Sequence, residues 1–172
     1  DNLPLSLYTN RQKIPFSTSW LGFSGIINKI NKINPDIVHL HWICGGMMTI
    51  EDIARIKYPI VWSLHDMWAF TAGSHYAVCQ GYKEKNGNCM SLRSKRKSNL
   101  SSRIFRRKHK TYSKKNDITI VGLSKWINEC SKSSYLLGNN HHVNIPNPIN
   151  TKIFKKFDKD SARDLWNLPK NK

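Results

Sequence analysis

The residues with the clearest chemical potential sit where short apolar runs end. His65 stands directly before Asp66 at the close of residues 60–65 (IVWSLH), and His39 and His41 alternate through residues 36–42 (DIVHLHW), which Trp42 ends. A histidine in such a place can hydrogen-bond a polar ligand, and a carboxylate beside it can orient a loop or accept from a hydroxyl. The plainer reading of His65 is an imidazole satisfied by a backbone carbonyl. His39 and His41 share one strand face by the two-residue period, but no third acidic or cysteine ligand stands nearby to make them a metal site. Ser124 opens an apolar-periodic run as a helix N-cap, and the free N–H groups behind it suit a phosphate. His75, Cys79 and Cys89, spaced H-x3-C-x9-C, are one ligand short of a structural zinc, so no metal is expected. Nothing here forms a nucleophile elbow, a P-loop or a GxGxxG turn, and no catalytic set is complete.

These residues need elements to hold them. Residues 21–34 carry Leu21, Ile26, Ile27, Ile30 and Ile33 at helical spacing and stop at Asn34-Pro35, where the pre-proline position opposes a helix. Residues 36–42 read as a strand, and residues 50–57 as a two-turn helix capped by Thr49 with Glu51 and Asp52 in its first turn. Residues 60–65 form a second strand, nearly continuous in apolar character as parallel strands covered on both faces are. Residues 66–98 are a long loop opening with Trp68, Phe70 and Tyr76, and ordered loops of that length are usually functional. A helix over residues 99–115, a strand over 117–123, a helix from Ser124 to about Leu137, a strand over 142–145 and a short helix over 160–166 complete the order. Alternating strands and helices imply an α/β fold, a three-layer, Rossmann-like and mostly parallel sheet. Ligands bind such sheets beyond the carboxyl ends of the strands, which selects His41, Trp42, His65, Asp66 and Ser124.

The 172 residues hold 28 Lys+Arg against 11 Asp+Glu, a formal charge of +17. One domain is the natural count, and six each of Trp, Tyr and Phe argue against disorder. No apolar run approaches the roughly 20 residues that span a bilayer. Four cysteines without a CxxC suit reduced thiols in the cytoplasm. The charge is local: eleven of the twenty-three positions from Arg93 to Lys115 are Lys or Arg. Within the helix over 99–115, Leu100, Ile104, Phe105 and Tyr112 fall near one side. Arg103, Arg106, Arg107, Lys108 and Lys110 take the rest, as a surface facing an anionic membrane or another anion. A merely solvated face is the alternative.

The strings PDIVHLHW, PIVWSLHDMWAFTAGSHY, GNC, IVGLSKW and IPNPIN together resemble the retaining glycosyltransferases of family 4, in particular the bacterial branch that builds capsule, O-antigen and colanic-acid-type exopolysaccharide. The resemblance runs from about Leu21 to Leu168, and LHDMWAFT is its most specific part. It implies one lobe of a GT-B fold: residues 1–149 as a partial N-terminal, acceptor-side domain, and residues 150–172 as a linker towards a donor-binding domain. It implies that His65 faces the transferred sugar with Asp66 as its partner, the pair counted as catalytic. His41, Trp42, Trp68, Phe70, Ser124 and Asn147 are expected to bind substrate, and Arg163 matches an arginine of the connecting helix. The donor would be a nucleotide sugar, held mainly by the other domain, and no cofactor would be required. The acceptor would be a saccharide or lipid-linked sugar, with the protein cytoplasmic and peripheral at the inner membrane face. The family's glycine-rich opening and its E-x7-E-bearing domain lie outside this sequence, so the isolated chain is expected to be inactive in transfer. Of two other readings, a nucleic-acid-binding protein lacks support because the aromatics are not interleaved with the basic run; the second is an inactive remnant.

Overall fold

The computed structural model describes residues 3–23, 25–76, 80–85, 90–94, 96 and 98–169. Four strands, β1 (Val38–Leu40), β2 (Ile60–Leu64), β3 (Ile118–Gly122) and β4 (His141–Asn144), form one sheet in the order β1-β2-β3-β4. Every neighbouring pair is parallel. The α/β reading therefore stands. The strands are shorter than expected at β1, which carries three residues.

Four α-helices accompany them: α1 (Ile26–Ile33), α2 (Leu100–Tyr112), α3 (Lys125–Lys132) and α4 (Lys159–Leu165). The N-terminal turns expected for the first helix are missing, because Gly25 enters α1 at a φ of 98°. Asn34 closes α1 in the left-handed region, as asparagine does more easily than most residues before a proline stop. Residues 50–57 form no α-helix. Glu51–Arg55 is a 3-10 helix, with Thr49 and Asp52 exchanging side-chain-to-backbone hydrogen bonds of 2.9 and 3.2 Å across its start. Asn99 caps α2 in a reciprocal box with Ser102, and Ser124 caps α3 by accepting from the Ile127 N–H at 3.2 Å. The loop after β2 is not irregular throughout, for Trp68–Phe70, Gln80–Lys83 and Met90–Leu92 are short 3-10 helices.

Strand alternation decides what each face meets. Ile60, Trp62 and Leu64 lie in register with Ile118, Ile120 and Gly122, and this face is covered by α2 and α3. Tyr112 of α2 sets its ring edge-on to Trp62 at 6.1 Å. A Cβ on Gly122 would fall 2.4 Å from Asn128 Cβ of α3, so the missing side chain is what lets the helix approach. The crossovers lie on this side, as right-handed connections between strands in sequential order require. On the opposite face His39 is exposed and Val61, Thr119 and Val143 are half-buried, so β2 is less enclosed than its apolar run implies.

Candidate active site

The carboxyl ends of β1 and β2 deliver His41 and His65 to one another. His41 Nδ1 and His65 Nε2 are 2.9 Å apart, and both residues are exposed. The parallel register makes this meeting: His39 pairs with Val61, so His41, two residues beyond His39, and His65, two beyond Ser63, continue on the same open face. His39 lies 4.3 Å from His41 between ring centroids, and its Nε2 is bonded to Ser63 Oγ at 2.8 Å. Although the residue is exposed overall, partial desolvation of its ring, and then the neighbouring His41, hold His39 below the ordinary imidazole range. His65 is thus not satisfied by a backbone carbonyl. With Nε2 committed to His41, its Nδ1 is the ring atom left for a ligand.

Asp66 turns the other way. Its Oδ1 accepts from the Trp68 N–H at 2.8 Å and its Oδ2 from His75 Nδ1 at 2.6 Å, while His75 Nε2 meets Ser17 Oγ at 2.8 Å. The order hydroxyl, imidazole, carboxylate is that of a nucleophilic relay, but Ser17 and His75 are only 5% and 6% exposed, so no substrate reaches the hydroxyl. The relay joins chain segments instead. Phe16 bridges Ser74, Ser17 N–H donates to Gly73 O, and Trp68 Nε1 donates to Ser17 O. Gly73 is needed in this joint: its φ is 114°, and a Cβ would sit 2.5 Å from Phe16 Cζ. His75 is therefore engaged by Asp66 and Ser17, while Cys79 and Cys89 lie outside the described residues. Among the described residues no group of three metal-ligating side chains occurs.

Two expected substrate residues are corrected. Trp68 and Phe70 are 2% and 0% exposed and belong to the core, because the chain turns into a 3-10 helix directly after Asp66 and folds its aromatics inward. Trp42 is exposed and stands over the loop, 6.0 Å from the His75 ring. Ser124, at the same sheet end beyond β3, is exposed but spends its hydroxyl on the cap. Asn147 lies in the exposed segment after β4. The structure thus brings His41, Trp42, His65 and Asp66 round one narrow crevice, with the buried Trp68 in its wall, and leaves Ser124 and Asn147 on other strand ends.

The basic helix is corrected as well. Lys108, expected to face an anion, is completely buried: its Nζ donates to the carbonyls of Trp68 and Thr71 and lies 3.5 Å from the centroid of the Trp68 ring. Burial pushes its pKa down to about 7 and raises that of Cys44 to about 11. Arg107 forks onto Glu51 at 2.7 and 2.6 Å and caps the carbonyls of Thr18 and Ser19. Both cations brace the loop and the segment before α1. Arg103, Arg106 and Lys110 remain exposed. Lys108 had a sequence signal, since Ile104, Lys108 and Tyr112 follow one another at i+4 along the apolar stripe.

Residues 4–86 match the family described as glycosyl transferase 4-like. The matched stretch holds β1, β2 and the crevice residues His41, Trp42, His65, Asp66 and Trp68, and it ends before α2. No curated protein and no solved structure matches the chain.

Proposed function

We propose that the chain is the acceptor-side portion of a retaining, sugar-nucleotide-dependent glycosyltransferase that extends a cell-surface polysaccharide or lipid-linked saccharide. The observation that carries this reading is the His41–His65 pair, exposed at the carboxyl ends of adjacent parallel strands inside the family-matched stretch. In that role His65 offers Nδ1 to a hydroxyl of the sugar being moved, and His41 fixes which ring nitrogen is offered. Asp66 acts on the loop: it holds Trp68 and His75 in place rather than touching substrate. Trp42 supplies an apolar wall. The nucleotide sugar is the co-substrate.

Three exposed cations of α2, Arg103, Arg106 and Lys110, give the protein a surface for anionic lipid at the cytoplasmic membrane face. No helix among the described residues is long and apolar enough to cross a membrane. Selective sedimentation with anionic vesicles supports this surface, and equal, salt-sensitive binding to DNA at matched salt contradicts it.

The function is tested by photo-crosslinking with diazirine-bearing glycosides of the common hexoses. Labelling is expected within residues 41–42 and 65–66, and its loss in His65→Ala. Labelling that avoids both strand ends, or that survives His65→Ala unchanged, refutes the assignment.

A further inference from the structure

A second cleft lies at the other end of the sheet. It has a volume of about 560 Å³ and runs between the C-terminal turn of α2, the lead into β3 and the turn before β4. This is within the range of ligand sites, about 300–1,000 Å³, and far exceeds what a bare phosphate fills. One wall is aromatic and rigid: the His109 ring stacks on Tyr135 at 5.6 Å and 24°, and Tyr135 packs on Phe105 at 5.8 Å. The facing side chains, Asn116, Asn139 and His141, line the cleft, and none of them makes a hydrogen bond within the described residues. No carboxylate is among its lining residues; its one lysine, Lys115, is held by Asp117 at 2.7 Å and by the Tyr58 carbonyl at 2.8 Å, while the exposed Lys110 and Lys114 follow His109 and Ser113 in the chain.

We infer that this cleft is a second binding site, for an acidic oligosaccharide. Planar amides offer a donor and an acceptor side by side, which suits vicinal hydroxyls. The imidazoles of His109 and His141 in the lining, with the exposed Lys110 and Lys114 beside them in the chain, suit an anionic substituent such as a uronic acid. The site stands at the amino ends of β3 and β4, outside the family-matched stretch, so it would hold a saccharide remotely from the strand-end histidines.

The test is backbone-amide NMR of the chain titrated with tetragalacturonate, cellotetraose, uridine monophosphate and inorganic phosphate. Tetragalacturonate is expected to move the amides of Asn116, Asn139 and His141 and to bind at least tenfold more tightly than the other three. Asn139→Asp should weaken it at least tenfold, whereas Asn150→Asp, the same charge change in the exposed segment after β4, should not. Equal binding of cellotetraose, of the nucleotide or of phosphate overturns the inference, as does the absence of shifts with tetragalacturonate or equal weakening by both variants. Failure here leaves His41 and His65 untouched, and failure of the crosslink at those residues leaves this cleft untouched.

Discussion

Replacing Lys108 by methionine should change how stability depends on pH. The ordinary lysine value is 10.5 and burial brings Lys108 to about 7, so between those values the unfolded chain binds a proton that the folded chain does not. Stability rises with pH wherever the unfolded state binds more protons, so the penalty of burying the cation is fully present below about pH 7 and is relieved above it. Integrated from pH 6 to 8.5, this one group adds about 2 kcal/mol to the wild type. The window stops short of the range where Cys44, raised to about 11 from 9.0, would act in the opposite direction. Lys108→Met keeps the length of the side chain but leaves the carbonyls of Trp68 and Thr71 without a donor, a loss of about 1–3 kcal/mol for each buried acceptor. Urea denaturation at pH 6, 7 and 8.5, followed by tryptophan fluorescence, should show the variant falling further behind the wild type as pH rises. Parallel pH profiles for the two proteins would refute the reasoning, because they would mean that Lys108 keeps its proton throughout.

Gly122→Ala should destabilise by about 1–3 kcal/mol, read as a lower urea midpoint with an unchanged slope, because the new methyl would lie 2.4 Å from Asn128 Cβ and must push α3 off the sheet. Asp66→Asn should cost about 1–3 kcal/mol and raise amide exchange at Trp68, since a neutral amide replaces the carboxylate that accepts from both Trp68 and His75. Arg107→Lys should lower the melting temperature at pH 7, because lysine cannot fork onto Glu51 while also capping Thr18 and Ser19. The Arg107 hydrogen bond holds Glu51 below its ordinary 4.5, so its contribution is present above 4.5 and lost as pH falls through the lowered value. The gap between the two proteins should therefore narrow at pH 3.

The parallel sheet was legible because its strands are β-branched runs bounded by Asn-Pro, Tyr-Pro and Pro-Asn-Pro, signals that act locally. His41 and His65 were legible for the same reason, since the ends of such strands are where α/β sheets meet ligands. Their mutual contact was not, because it depends on the register between β1 and β2, which no single segment encodes. Trp68 and Phe70 misled because an aromatic in a loop fits a ligand wall and a core equally well; the 3-10 turn after Asp66 chose the core. Lys108 misled through its charge. The i+4 stripe placed it inward, and the carbonyls of Trp68 and Thr71 make that placement tolerable, but those partners stand about forty residues away. Ser17, joined to Asp66 through His75, carried no local signal at all.

The central claim is that the paired histidines at the ends of β1 and β2 receive a saccharide. Imidazole nitrogen resonances of His41 and His65, followed while the chain is titrated with methyl glycosides of glucose, galactose, mannose and N-acetylglucosamine, test it most directly. At least one glycoside is expected to shift both rings together, with His39 and His75 less affected and the His41 shift abolished in His65→Ala. Rings that stay unmoved by every glycoside, or a His41 response that persists without His65, would contradict it.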